Sequence, residues 1–264
     1  MGGVIDFHTH AFPDALAERA MERLEAQAQI RAHLDGRIGS LLAAMDRAGI
    51  EQSVVCCIAT RPGQFDAILR WCGEIASERI VPFASVHPDD ADVAGKIRAV
   101  RQAGLRGVKL HPYYQDFFAD EARALPIYEA MCREGLIGVL HTGYDFAFER
   151  DERAGPRRVL KVIEAFADLK IVMSHLGGWQ DWDAVEEAII GKDIYVEISY
   201  SLDYLPPERV RRMILAHPAH YMLFGSDSPW GDAWRGIEQV KALKLGAERQ
   251  ELLLSSNARD LLGG

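Results

Sequence analysis

Eight short apolar runs, each leading toward a longer stretch with helical spacing, predict an α/β fold built from parallel βαβ units. The runs are mostly Val, Ile, Leu and Phe until their last residues, the pattern of strands covered on both faces. Eight such units in 264 residues predict a (β/α)8 barrel of the TIM type, a fold that needs roughly 250 residues. No GxGxxG follows the first run, which weakens the case for an open nucleotide-binding sheet. Without a repeat, a low-complexity tract or a linker-like boundary, residues 1–264 are expected to form one domain.

The elements follow in order. The first strand is expected at 3–8 (GVIDFH), and the stretch 11–39 behind it is the longest insertion, placed to act as a partial lid. A helix over 39–49 stops at Gly49 before the second strand at 53–59 (SVVCCIA). Apolar residues at helical spacing over 65–78 precede the third strand at 80–86 (IVPFASV). The helices over 93–104 and 122–135 stop at Gly104 and Gly135, both suited to a C-cap, and the strands 107–111 (GVKLH) and 137–141 (IGVLH) follow. Prolines suit the first turns of helices over 155–169 and 206–218. The remaining strands are 170–175 (KIVMSH), 193–199 (DIYVEIS) and 221–227 (YMLFGSD), and a capped helix over 255–264 closes the chain.

Composition narrows the partners. A net charge of −9 and a pI near 5.5 argue against a nucleic-acid or anionic-membrane surface. No apolar run approaches a membrane span, and no basic stretch followed by an apolar one opens the chain. A cytoplasmic protein acting on a small molecule is expected, with a homodimer as the assembly to test. Cys56, Cys57, Cys72 and Cys132 form no CxxC pair and read as small buried hydrophobes.

The histidines carry the strongest signal. Six of nine, His8, His10, His87, His111, His141 and His175, stand at or just past the C-terminal ends of expected strands, where chance would put about one. That end of a barrel is where active sites lie. Residues two apart on a strand share a face, so His8 and His10 are expected to point the same way, and Asp6 with them. Lys109 and His111 share a face by the same rule, and Asp227 closes the eighth strand. Three or four such groups on one axis would make a catalytic divalent-metal site with an open position, zinc being favoured and manganese the next candidate.

In this order on successive strand ends, DFHTH, GVKLHP, HTG, SHLGG and FGSDSP resemble the amidohydrolase superfamily. More narrowly they resemble its amidohydrolase-related (amidohydrolase 2) group of metal-dependent hydrolases and nonoxidative decarboxylases. HxH alone is a weak motif, but five motifs at the right places are specific. The resemblance implies that His8, His10, His141 and Asp227 hold the metal, that Asp227 takes a proton from water, and that His175 is an acid or base. It also implies a second arrangement, in which a carbamate on Lys109 bridges two ions and His175 becomes a ligand. One ion is favoured over two.

Around that centre, His111, Tyr113, Arg61 and Trp230 join Lys109 as candidate substrate contacts. Asp6 is expected to orient a ligand imidazole from behind, and His87 in SVHPDD reads as a turn residue. The function expected is metal-assisted hydrolysis of an ester, lactone or amide. The rival on the same site is decarboxylation of an aromatic or unsaturated acid, favoured by an aromatic mouth with a well-placed arginine. A noncatalytic binding barrel is the rival from another class, and it would hold no stoichiometric metal.

Overall fold

The computed structural model describes residues 2–263. Its strands are β1 Val4–Thr9, β2 Ile50–Cys56, β3 Ile80–Phe83, β4 Gly107–Leu110, β5 Ile137–Leu140, β6 Lys170–Met173, β7 Tyr195–Glu197 and β8 Met222–Leu223. The helices are α1 Asp14–Ala28, α2 Ile38–Ala48, α3 Phe65–Ile75, α4 Val93–Gln102, α5 Leu125–Glu134, α6 Pro156–Ala165, α7 Trp182–Ala188, α8 Pro207–Ala216, α9 Ala233–Ala242, α10 Ala247–Glu251 and α11 Asn257–Leu262.

All the strand pairs are parallel, and the ladders run β1-β2-β3 and β4-β5-β6-β7-β8. Backbone hydrogen bonds join the two ladders at both seams. Ala84 N–H and Lys109 N–H link β3 to β4, and Phe7 N–H to Phe224 O, with Asp227 N–H to His8 O, links β1 to β8. The architecture is the expected (β/α)8 barrel. Strands 7 and 8 are shorter than their apolar runs suggest because side chains capture their last N–H groups. Ser199 N–H donates to Glu197 Oε2 at 2.6 Å and Ser226 N–H to Asp6 Oδ1 at 2.9 Å.

Two apolar cores follow from strand parity. Ile5, Phe7, Val54, Cys56, Phe83, Val139, Val172 and Leu223 fill the barrel, plugged at its N-terminal end by Ala258 and Leu262. The alternate residues, among them Val55, Val108, Leu110, Leu140, Met173 and Val196, pack outward on the helices. On this rule Lys109, paired in register with Val139, belongs inside, and so does Glu197 next to outward-facing Val196.

The insertion 11–39 holds α1, a helix the apolar pattern did not single out. Its far end donates His33 N–H to Pro229 O, and Gln27 reaches the carbonyl of Ala147, so the segment runs between the loops after β8 and β5. Helices α7 and α9 likewise lie outside the helices the sequence pattern predicts. The first has seven residues, and the second starts from Asp232, whose Oδ1 accepts Arg235 N–H at 3.2 Å.

Gly143 locks the loops after β5 and β6 together. Its φ is +84°, and an added Cβ would stand 2.1 Å from the backbone nitrogen of Trp179. Gly143→Ala should therefore lower stability by at least about 2 kcal/mol, read as an earlier urea midpoint with an unchanged slope. A second prediction concerns pH. Burial lowers the pKa of His217 from 6.5, although its bond to the Ile194 carbonyl opposes the shift. The folded pKa lies below the unfolded one, so the stability of the neutral ring is present above pH 6.5 and is lost as pH falls through the folded value. His217→Gln, which keeps a donor for that carbonyl, should lose less stability on acidification, measured by urea titrations at several pH values.

Candidate metal centre

A bulge in β1 aims the first histidines. Asp6 pairs with Ser53 and Thr9 with Val55, so three steps on β1 match two on β2. The extra residue turns His8 and His10 toward the interior while leaving Asp6 in the register of outward-facing Ser53. The two imidazoles accordingly meet, Nε2 to Nε2, at 3.1 Å. Asp6 does not share their face, and it does not orient an imidazole. Its Oδ1 accepts the backbone N–H groups of His8 and Ser226, tying the end of β1 to β8. Buried completely, its carboxyl is pushed up to about 7, chiefly by desolvation, against the hydrogen bonds from Ser226 and His8.

Glu197 does what was expected of Asp6. It is an acid among Tyr195, Val196 and Ile198, and its Oε1 accepts from His8 Nδ1 at 2.9 Å. Parity would have found it, since an ionisable residue at an inward position of an apolar strand has to serve something. Asp145, which meets His111 Nε2 at 3.3 Å, had no such signal among the many charges of its loop.

The four central imidazoles obey one rule. Each has one ring nitrogen on a protein acceptor and turns the other inward. His8 Nδ1 faces Glu197, and His10 Nδ1 faces the Cys56 carbonyl at 2.8 Å. His175 Nδ1 faces the Ser199 carbonyl at 3.2 Å, and His141 Nε2 faces the Tyr144 carbonyl at 3.3 Å. Carbonyls and carboxylates only accept, so these nitrogens carry the protons of the neutral rings. The inward nitrogens therefore carry lone pairs, and they converge. His8 Nε2 and His10 Nε2 also lie 3.5 and 3.3 Å from Asp227 Oδ1, while His175 Nε2 lies 3.0 Å from His141 Nδ1.

Burial keeps His8 and His141 well below the ordinary histidine pKa, helped at His8 by the neighbouring Lys109 and at His141 by His111. His8 and His141, one ring of each facing pair, are thus held to their lone pairs, and with the Asp227 carboxylate beside them the donor set fits a divalent cation. His8, His10 and Asp227 form one trio, and His141 and His175 face each other as a second group. Lys109 is fully buried, with Nζ 2.9 Å from His8 Nε2. Desolvation lowers its pKa, although nearby acids such as Cys56 and Asp227 pull the other way.

The other sequence candidates divide. His111 lies at the centre, its ring stacked on His141 at 4.0 Å between centroids. Tyr113 packs edge-on to His141, and its hydroxyl is taken by the Asp151 carbonyl. Trp230 is half-buried in the turn that Asp227 begins, donating its N–H to the Asp227 carbonyl. Arg61 lies exposed in the loop after β2, where its N–H donates to Gln64 Oε1, and it is not among the side chains that meet at the centre. His87 sits in a turn, its N–H on Asp90 and its Nδ1 accepting from Asp89.

Fold and donor set define a barrel protein built to hold divalent metal at the C-terminal ends of its strands. The chain belongs to the amidohydrolase family, whose family model (Amidohydro_2) matches residues 5–264. No curated protein matches it. Among solved structures, an uncharacterized TIM-barrel protein from Bordetella bronchiseptica superimposes with a TM-score of 0.76 at 19% identity, covering 98% of each chain. A dihydroxybenzoic acid decarboxylase from Polaromonas sp. JS666, with bound manganese and the inhibitor 2-nitroresorcinol, gives 0.73 at 14% identity, covering 100% of this chain and 97% of that one. A probable 2-pyrone-4,6-dicarboxylic acid hydrolase from Acinetobacter baumannii, with citric acid bound, gives 0.70 at 15% identity over 100% of both. At these identities the likeness is one of fold. Among the described residues, no helix is long and apolar enough to cross a membrane.

The donor set makes a direct prediction. At a free Mn²⁺ or Zn²⁺ concentration of 100 times Kd, the folded state should gain about 2.7 kcal/mol. A thermal melt should rise accordingly in the wild type and stay unmoved in a His8→Ala, His10→Ala double variant.

Proposed function

We propose that the protein is a metal-dependent hydrolase that cleaves an ester, lactone or amide bond of a small molecule. The observation that carries this reading is the buried Lys109 beside the inward lone pairs. Lysine in so basic and dry a place favours the uncharged amine, which can add CO2 and, on passing the displaced proton to a neighbouring base, become a carbamate and a further anionic donor. Beside the trio of His8, His10 and Asp227, the facing pair of His141 and His175 offers donors that could serve the same ion or a second one. Zinc and manganese both suit imidazole and carboxylate.

A divalent ion, when bound, supplies Lewis acidity toward water and toward a substrate oxygen. The residues do the rest. Asp227, held at a left-handed φ of 61° and bonded through its N–H to the His8 carbonyl, presents Oδ1 as the acceptor for the proton of the attacking water. His175, at φ 59°, is braced by Ser199 and enters with a lone pair, so it starts as a base or ligand. Tyr113, Tyr114 and Phe148 pack together on the His111 side, and Trp179 and Tyr200 on the His175 side. These rings favour a flat substrate and exclude water from its reacting end.

The same aromatic walls favour a second reading, decarboxylation of an aromatic or unsaturated acid. Isotopes separate the two. Metal-loaded protein would be offered lactones, aryl esters, amides and aromatic acids in H2¹⁸O and, separately, in D2O. Hydrolysis puts one ¹⁸O into the product carboxylate, whereas decarboxylation puts deuterium on carbon and releases CO2. Asp227→Asn should lower the hydrolytic rate by about 10²- to 10⁴-fold. Turnover confined to carbon deuteration would overturn the hydrolase reading, and a chain without stoichiometric metal would overturn both.

A further inference from the structure

We propose that Glu197 and Ser199 form a positioning bracket that sets the ring tautomers of His8 and His175 together, so that one buried carboxylate prepares both donor groups of the metal centre. The proposal rests on the metal-dependent reading above, and its test separates the two.

Both carboxylate oxygens of Glu197 are in use. Oε1 accepts from His8 Nδ1 at 2.9 Å, from the His175 backbone N–H at 3.0 Å and from Ser199 Oγ at 2.8 Å, and Oε2 accepts Ser199 N–H at 2.6 Å. The Ser199 hydroxyl has a single proton, directed at Glu197. Toward the imidazoles its oxygen can therefore only accept. It lies 3.0 Å from His175 Nδ1 and 3.2 Å from His8 Nδ1. The Ser199 carbonyl, a second acceptor, also faces His175 Nδ1.

Both Nδ1 atoms must then carry hydrogen, and both Nε2 lone pairs must point inward, one into the His10–Asp227 group and one at His141. The opposite tautomer of either ring would set a lone pair against the carboxylate or the hydroxyl oxygen in a buried space, an uncompensated repulsion.

The sequence also makes room for the bracket. Gly225 lies where a Cβ would stand 2.3 Å from Glu197 Oε2 and 3.0 Å from the His8 Cβ. Were Glu197 only a tie between strand backbones, its bonds to Ser199 N–H and His175 N–H would suffice. The contact with the side chain of His8, on a strand bonded to β8 rather than to β7, needs the further role.

The experiment is two-bond ¹H–¹⁵N correlation spectroscopy on metal-free protein carrying ¹⁵N-labelled histidine, which reads each ring's tautomer. Chelator competition with Zn²⁺ on the same samples supplies the affinity. In the wild type, His8 and His175 should both be protonated at Nδ1. Glu197→Ala should mix the tautomers of both rings and weaken Zn²⁺ binding about ten- to a hundredfold. Glu197→Gln, which keeps one acceptor oxygen, should restore part of each. Ser199→Ala, a smaller change that leaves the buried carboxylate in place, should disturb His175 more than His8. Unchanged tautomers in folded Ser199→Ala and Glu197→Ala would overturn the bracket, whatever their melting temperatures. Wild-type tautomers as stated, with no Zn²⁺ bound, would uphold the bracket and sink the metal reading.

Discussion

Four imidazole N–H groups pointing away from a common centre are the constraint on which the rest of the site depends. An isolated pocket of histidines would arrange its rings so that donors meet acceptors. Here the outer acceptors are the carbonyls of Cys56, Tyr144 and Ser199 and the carboxylate of Glu197, and none of them can donate. The inner faces are left electron-rich, and Asp227 adds a carboxylate to them. Such an arrangement costs stability in the absence of a cation and makes the same atoms strong donors in its presence. Sites that give up stability for function in this way are where local rules of packing are expected to fail.

The barrel meets that constraint by departing from regularity where the donors are attached. The bulge in β1 turns His8 and His10 to the inner face, where the twofold repeat of a regular strand would not put them once Phe7 also faces inward. Past β6 the chain takes up left-handed φ at His175 and again at Leu176, and it does so once more at Asp227. Non-glycine residues pay about 1–3 kcal/mol each for such conformations. Backbone bonds hold two of them, from Leu176 N–H to Glu197 O and from Asp227 N–H to His8 O, while His175 N–H goes to the Glu197 carboxylate. Strand pairing and site geometry are thus one network at this end of the molecule.

How much of this was legible follows from which periodicities survive in the strands. The eight apolar runs and the capping glycines are local signals, and they placed the barrel and most helices. His8, His10, His141, His175 and Asp227 were legible because polar residues at the ends of apolar runs have no structural excuse. Asp6 misled because a bulge leaves no mark in the residue pattern, so parity counted through it assigns the wrong face. Glu197 was legible in principle, as the acid inside IYVEIS, but its partner lies on β1, and only the closed barrel brings the two together. Asp145 depends on a loop path that no short-range pattern encodes, whereas Ser199 closes the seventh apolar run two residues past Glu197.

Lys109 shows how such a centre joins chemistry to folding. Its paired neighbour in register is Val139, so an apolar residue would serve the interior layer equally well and would avoid the desolvation of an ammonium. Burial holds the amine toward neutrality, and the nitrogen it touches, His8 Nε2, already presents a lone pair. A neutral amine can donate one hydrogen to that nitrogen and keep its own lone pair for a new bond, whereas an ammonium can only donate. Beside the His8 lone pair, a lysine of this kind would give an uncharged interior position the means to become an anionic one. A residue so poorly suited to a barrel core fits the metal-dependent reading proposed above, in which CO2 adds to the neutral amine and the displaced proton passes to a neighbouring base.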